Sequence, residues 1–239
     1  MIALPFEILL PVGALAFYLY DCLLPLYGNE LLLVAGVGGW RVRQAGHWVV
    51  GGRRLFLLDP LQPQAPTFRV ALDAASLLAP RGAVQDPQPM IMALCVHRVL
   101  CLLLGTTILI ALPLVSLALG AGLALLGVFA LAYGITLVAG VLLVCWRARL
   151  GLSLRKALGF AFDGLLCPPF GVNLVRKLTL QASLGDAVQF MRQVPDIAVR
   201  NAFREGCRGI LVADLPTDEP VPPDTAQALA LLEDEESWR

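Results

Sequence analysis

From Val99 to Trp146 the chain carries no Lys, Arg, Asp or Glu, and Arg98 and Arg147 close the run at its two ends. A continuous helix of that length would be a rod of about 72 Å, more than twice the ~30 Å hydrocarbon core of a bilayer. The run therefore has to double back, and Gly120-Ala121-Gly122 is where the pattern places the turn. The expectation is a transmembrane helical hairpin over 98–146. Residues 1–28 are predicted to hold a further span, an apolar stretch from Leu4 to Tyr27 interrupted by Glu7, Asp21 and three prolines, Pro5, Pro11 and Pro25. This stretch lacks the basic opening and the A-x-A site of a cleaved signal peptide, so it reads as a retained helix.

Between the first span and the hairpin the period changes. Residues 29–75 read as a small β-rich module. Glu30 to Ala35 is apolar, Gly36-Val37-Gly38-Gly39 breaks it, and Trp40-Arg41-Val42-Arg43 alternates as a half-buried strand does. His47 to Val50 and Arg53 to Leu58 flank Gly51-Gly52, a two-residue hairpin signal. Thr67 to Leu72 alternates again. Five short strands make a twisted sheet or partly open barrel that is marginal as an independent fold. Residues 76–97 read as a proline-rich linker followed by the start of the second helix, near Met90.

Beyond Trp146 the pattern becomes amphipathic, and 147–213 is predicted as a set of surface helices. Ser153 caps a helix reaching about Leu166, with Leu154, Leu158, Ala161, Phe162 and Leu165 along one side. Cys167-Pro168-Pro169 stops it, and Gly171 to Leu180 forms a second helix with Arg176 and Lys177 on its polar side. Ser183 with Asp186 reads as a capping box opening a third. A fourth follows Pro195 with Asp196 as cap. Its apolar side is Val199, Phe203, Gly206 and Ile210, with Arg200, Arg204 and Arg208 opposite. Residues 214–239 are acidic and proline-containing, and read as a mobile tail with one helical turn around Ala226 to Leu232.

Composition agrees with a membrane protein: 58% of residues are hydrophobic and 15% charged, with a mean hydropathy of +0.75. A net charge of zero hides a sided distribution. No Lys or Arg precedes the first span or lies in the Gly120–Gly122 turn. Arg41, Arg43, Arg53, Arg54, Arg69, Arg81 and Arg98 lie between the first and second spans, and every other Lys and Arg follows the third. A hairpin returns the chain to its starting side, so both basic regions share a compartment. The positive-inside rule makes that compartment the cytoplasm. The predicted fold is thus an α-helical integral membrane protein, three spans with the N-terminus outside and the C-terminus inside, with a cytoplasmic β-rich module and C-terminal amphipathic helices. Its Ala, Leu, Gly and Arg usage has the look of a high-GC bacterium, which points to the inner membrane.

Within the spans, Gly120, Ala124, Gly127, Ala130 and Gly134 form a stripe of small residues suited to close helix packing, inside the hairpin or against a partner's helix. Pro113 can kink the second helix, with Thr106, Thr107 and Ser116 able to bond freed carbonyls. Asp21, late in the first span, is expensive there without a partner, and Arg98 enters the same side. The expectation is an Asp21–Arg98 pair locking the first helix to the hairpin. Arg53, Arg54, Arg155, Lys156, Arg176 and Lys177 are candidates for anionic headgroup contact. Arg200, Arg204 and Arg208 can dock the chain's own tail or an acidic partner.

Catalytic signatures are missing. Neither histidine, His47 or His97, has a neighbour at metal-ligand spacing, and there is no G-x-S-x-G, H-E-x-x-H or P-loop. The six cysteines contain no C-x-x-C pair and read as small buried side chains. The basic residues, scattered among apolar faces and balanced by acids, do not form a nucleic-acid surface. No cofactor or metal is expected. The sequence therefore points to a non-enzymatic multi-pass membrane protein, an accessory or scaffold subunit of an envelope complex, bound to membrane lipids and to a membrane-protein partner or a second copy. The alternative is a membrane enzyme acting on a lipid or lipid-linked substrate, drawing on Asp21, His47, His97, Arg98, Asp163 and Asn173.

Overall fold

The computed structural model describes residues 5–36, 38–44, 49–72, 74–78, 85–119, 122–182, 184, 186–213 and 221–233. In chain order the elements are α1 (Phe6–Asp21), β1 (Leu23–Leu26), β2 (Glu30–Gly36), β3 (Gly39–Gln44), β4 (Val49–Val50), β5 (Arg53–Leu57), β6 (Thr67–Ala71), α2 (Ala74–Leu78) and α3 (Gln88–Ala93). Then come α4 (Cys95–Thr106), a π turn (Thr107–Ala111), α5 (Leu112–Leu119), α6 (Leu123–Trp146), α7 (Leu154–Leu166), α8 (Pro168–Gly171), α9 (Leu174–Leu180), α10 (Ala187–Gln193), α11 (Ile197–Ala213) and α12 (Pro223–Glu233). The chain is mainly helical with a small β region, and it divides into two compact units. One comprises Met1–Leu23, Leu57–Ala65 and Gln88–Leu178; the other comprises Leu24–Phe56, Pro66–Pro87 and Thr179–Arg239.

The first unit is a helical bundle. Among the described residues two helices are long and apolar enough to cross a membrane, Cys95–Leu119 and Leu123–Trp146. The first of them is interrupted where the chemistry requires it. Pro113 has no N–H and its ring crowds the carbonyl of Leu109, so the backbone widens into the π turn just before it. Thr106 and Thr107 hydroxyls both donate to the Leu103 carbonyl at 2.8 Å. Ser116 instead donates to the Glu7 carbonyl at 2.8 Å, tying α5 to the start of α1.

α6 runs unbroken, and its C-terminus is shaped by Gly151. Leu152 N–H donates to the Arg147 carbonyl at 2.8 Å and Gly151 N–H to the Ala148 carbonyl at 3.3 Å, with Gly151 at φ +65°. This is a Schellman reversal, which a glycine in the left-handed region permits. The chain turns back on itself here, and α7, capped by Ser153 accepting from Lys156 N–H at 3.3 Å, packs along α6. A Cβ on Gly140 would meet Ala161 Cβ at 3.0 Å, and one on Gly164 would meet Thr136 Cγ2 at 3.1 Å. Contact positions rise on α7 as they fall on α6, so the helices are antiparallel, with backbones in close approach. α7 was expected as a free surface helix; its small residues Ala157, Ala161 and Gly164 bring it onto α6 instead.

The small-residue stripe on α6 is not the face that packs within the chain. The face buried within the chain is Leu125, Ala132, Thr136, Ala139, Gly140 and Leu143. Ala124, Gly127, Ala130 and Gly134 are exposed, and nothing lies within 4 Å of a Cβ built on Gly127 or Gly134. Gly120 lies outside the described residues, as does most of the turn expected at Gly120–Gly122.

The second unit carries the β-rich module, with two three-stranded sheets among its described residues in the orders β1-β5-β4 and β3-β2-β6. β2 is the central strand of its sheet, antiparallel to both neighbours. Glu30, Leu31, Leu32 and Leu33 are all buried, which is why this strand reads as a continuous apolar run rather than an alternation. Glu30 accepts from Tyr27 N–H at 2.9 Å and pairs with Arg69 on β6 at 3.5 Å. Gly51 and Gly52, at φ +59° and +76°, make the tight turn between β4 and β5, whose register sets Val50 opposite Arg53.

Helices cover the β3-β2-β6 sheet. Trp40 packs tilted against Phe68 and edge-on against Phe190, with ring centroids 5.7 and 5.1 Å away. α11 brings Gly206 so close that an added Cβ would lie 3.1 Å from both Gln44 Nε2 and Leu31 Cδ1. Asp196 opens α11 as expected, accepting from Ala198 N–H at 2.9 Å. Burial pushes the Cys207 thiol on this helix up to about 12.

Several sequence expectations need correction. Leu23–Leu26 is the strand β1, not the end of a span, so α1 stops at Asp21; Pro25, which cannot continue a helix, sits within that strand. α2 was not foreseen. Asp186 is itself the cap of α10, accepting from Gln189 N–H at 2.9 Å, and Ser183 lies outside the described residues. The C-terminal region read as a mobile tail contains α12, an 11-residue helix that buries Ala228 and Leu232. Residues 214–220 and 234–239 lie outside the described residues.

Gly206 and Gly209, three residues apart on α11, give a matched test of this packing. Gly206→Val overfills the contact with β2 and β3 and should cost about 1–3 kcal/mol. Gly209→Val, with nothing within 4 Å of its Cβ, should leave stability unchanged or slightly raised. Thermal unfolding of the full chain in mild detergent reads the difference.

Candidate functional site

Polar side chains that a bundle this apolar must account for gather at the C-terminal end of α1. Tyr18, Asp21 and Cys22 share one face there, being three and four residues apart. Asn173, Arg176 and Lys177 repeat the same spacing at α9. Asp21 pairs with Lys177 at 2.8 Å and accepts from Asn173 Nδ2 at 3.1 Å. Arg176 donates to Asn173 Oδ1 at 3.1 Å, to the Gln62 carbonyl at 2.6 Å and to the Asp59 carbonyl. Tyr18 Oη donates to the Pro60 carbonyl at 2.5 Å, and Leu58 N–H to the Cys22 carbonyl at 2.9 Å. Three stretches far apart in sequence, 18–22, 58–62 and 173–177, thus meet in one network.

Arg176 is 2% exposed. Burial pulls its guanidinium down from its ordinary value, and nearby Cys22, Tyr18 and Asp59 push it back up. Arginine holds its charge in proteins, and the carbonyl oxygens facing its fork replace the lost water. Lys177 is half-buried; its ammonium also donates to the Phe170 carbonyl at 3.1 Å and stands 4.9 Å from the Phe170 ring centre.

Beside this network runs an apolar cleft of about 340 Å³, whose wall includes Gly13 and Phe17 of α1, Ala132 and Tyr133 of α6, and Cys167 and Pro169. Phe17 is one turn before Asp21 and packs edge-on to Phe170 at 6.1 Å. The cleft has the size of a small-molecule site, but the charged atoms of Asp21, Arg176 and Lys177 belong to the network rather than to its lining. Among the described residues no three His, Cys, Asp or Glu side chains gather where they could hold a metal ion.

Of the residues singled out in the sequence, Asp21, Asn173, Arg176 and Lys177 come together, and the others are dispersed. Asp21 and Asn173 meet. Asp21 takes Lys177 as its counter-ion, and among the described residues it forms no ion pair with Arg98. The reason is that α9 returns along the end of α1 and presents Lys177 to the carboxylate. His97 is buried with its ring 5.8 Å from that of Trp146, Asp163 is exposed, and His47 lies outside the described residues. Arg176 and Lys177, expected at lipid headgroups, turn inward. Arg155 and Lys156 are exposed. Arg54 is half-buried and Arg53 donates to Tyr27 Oη at 2.8 Å. Arg204 donates through Nε, at 2.8 Å, and Nη2 to the Leu232 carbonyl in the last turn of α12, where a cation suits the helix dipole. Arg208 is exposed and Arg200 half-buried. Of the cysteines, Cys22, Cys101 and Cys207 are buried, Cys95 and Cys145 exposed, and Cys167 intermediate.

Sequence reasoning missed Arg176 and Lys177 as the partners of the α1 terminus. A signal was available: Leu174, Val175 and Leu178 surround them, leaving α9 without a broad polar face. The chain matches no protein-family model, no curated protein and no solved structure.

The network makes two predictions. Arg176→Met leaves the Asp59 and Gln62 carbonyls and Asn173 Oδ1 without their donor and should destabilise the chain by on the order of 3 kcal/mol, read as a lowered thermal midpoint. In double-mutant cycles, Asp21→Ala and Lys177→Ala should couple by at least ~0.5 kcal/mol, whereas Asp21→Ala and Arg98→Ala should add.

Proposed function

We propose that this chain is an integral protein of the bacterial inner membrane, with its N-terminus outside and its C-terminus in the cytoplasm, acting as an accessory or scaffold subunit rather than a catalyst. On this reading Cys95–Leu119 and Leu123–Trp146 cross the bilayer and α1 is a short third span beside them.

Membrane placement draws support from what the two long helices leave uncovered. Only 39% and 28% of their apolar windows are buried within the chain. Ile110, Leu114, Leu117, Leu126, Leu131 and Val141 are each more than half exposed, and burying one such side chain is worth about 1.5–3 kcal/mol. Hydrocarbon is the solvent that suits this surface. α1 shows the same character, with Leu9, Val12 and Phe17 exposed.

The non-catalytic reading rests on one observation: the polar groups at the cytoplasmic end of the bundle are consumed in holding it together. Of the residues a lipid enzyme would draw on, Asp21 and Asn173 converge, and they converge on Lys177 and Arg176 as structural partners rather than on the cleft. The exposed small-residue face of α6 leaves room for a neighbour's helix, and the exposed Arg208 for an acidic surface.

Tagged purification from native membranes in mild detergent, with mass spectrometry of proteins and lipids, tests the proposal. A stoichiometric membrane-protein partner, or a stable homo-oligomer, is the expected result. A monomer carrying one enriched lipid species overturns it in favour of lipid chemistry. A reporter fused after Arg239 that is active only outside the cytoplasm overturns the orientation.

A further inference from the structure

We infer that α7 is a re-entrant helix whose exposed stripe, Leu154, Leu158, Phe162 and Leu166, is seated in the acyl chains of the cytoplasmic leaflet. The inference rests on the membrane reading of α6 given above and adds to it a fourth segment that enters the bilayer without crossing it.

The stripe is apolar and uncovered: its members are 48%, 50%, 61% and 68% exposed in chain order. They recur every four residues, so they lie along one side of the helix. What faces them follows from the helix beside them. α7 is antiparallel to α6, with Ala161 against Gly140 and Gly164 against Thr136. Thr136 is ten residues before Trp146, which places Gly164 about 15 Å along α6 from that residue at ~1.5 Å per residue. If Trp146 marks the interface, the C-terminal end of α7 reaches roughly the middle of a ~30 Å core. The deep half of the stripe then stands at the level of Leu137, Val138 and Val141, which α6 itself leaves half-exposed. The two apolar surfaces stand at the same level, and a helix held antiparallel against α6 in this way cannot lie flat on the membrane.

Charge in the first turn is arranged to suit that solvent. Arg155 and Lys156, both exposed, stand in the first turn, where their stems can carry the charge to phosphate oxygens. Past that turn α7 has one charged residue, Asp163. It is exposed and lies seven residues after Lys156 on the same flank, away from the stripe, where a carboxylate at this depth requires water or a polar partner. At the deep end Cys167-Pro168-Pro169 ends the helix, and α8 and α9 carry the chain back. Broken backbone is tolerated at such a depth where protein buries it: Pro169 and Val172 are buried, and the Gly171 carbonyl faces the Cys101 thiol at 3.6 Å.

Spin labels read by oxygen and nickel-chelate accessibility in proteoliposomes decide the matter. Labels go one at a time at Leu158, Phe162 and Leu166, with Leu131 and Leu137 on α6 as references, in full-length protein whose Cys95, Cys145 and Cys167 are replaced by Ala. All five labelled positions are exposed or half-exposed, so the label replaces no core contact. The expected result is oxygen-dominated accessibility at all three α7 sites, with depth increasing by about 12 Å from Leu158 to Leu166. Equal shallow depths, or nickel-dominated signals on α7 with both α6 references deep, overturn the inference and leave the membrane reading standing. α7 labels immobilised and shielded from both reagents overturn it in favour of a protein neighbour on the stripe. Nickel-dominated signals at Leu131 and Leu137 overturn the membrane reading itself.

Discussion

A buried guanidinium is the centre on which the helical unit is organised. Arg176 stands almost without water, so every oxygen it has lost must be replaced from the protein, and an unreplaced one would cost more than most single contacts in the fold contribute. The replacements are backbone carbonyls of the 58–62 loop and the side chain of Asn173, which in turn orients Asp21. That requirement explains why a short excursion between two strands is packed into the helical unit. It also explains why α1 ends where it does, since Asp21 sits where Lys177 can neutralise it.

The same unit is laid out by glycine and proline placed where backbone geometry allows few alternatives. Pro113 forces a wide turn into the first long helix, and Gly151 permits the reversal after the second. Small side chains on α6 and α7 then let the two helices close on each other. α6 emerges with two faces of different use. One side, from Leu125 to Leu143, is spent on the chain's own helices, and the other, carrying Ala124, Gly127, Ala130 and Gly134, is left open.

The β-rich unit is built on a different constraint, the burial of a central strand on both sides. β2 supplies three consecutive leucines, the neighbouring strands satisfy its backbone, and Trp40, Phe68 and Phe190 close one side. Gly206 allows α11 to sit directly over β2 and β3. With two buried side chains and its last-turn carbonyl held by Arg204, α12 packs against α11.

The sequence alone determined the features that depend on neighbouring residues or on solvent. The long uncharged run gave two helices because a helix's solvent preference is written in consecutive side chains. Most strands, the Gly51-Gly52 turn, the Ser153 and Asp196 caps and the disturbance before Pro113 were legible because each is a local backbone matter. What the tertiary structure decided was who meets whom. Asp21 had two basic candidates reachable by different folds of the same chain, and the return of α9, set by α7 packing on α6, chose Lys177. The face of α6 that packs and the inward turn of Arg176 were equally invisible, and the tail docking at Arg204 was one of several options the sequence left open. Periodicity marks a face as apolar or small, and only the arrangement of the other helices settles which face is covered.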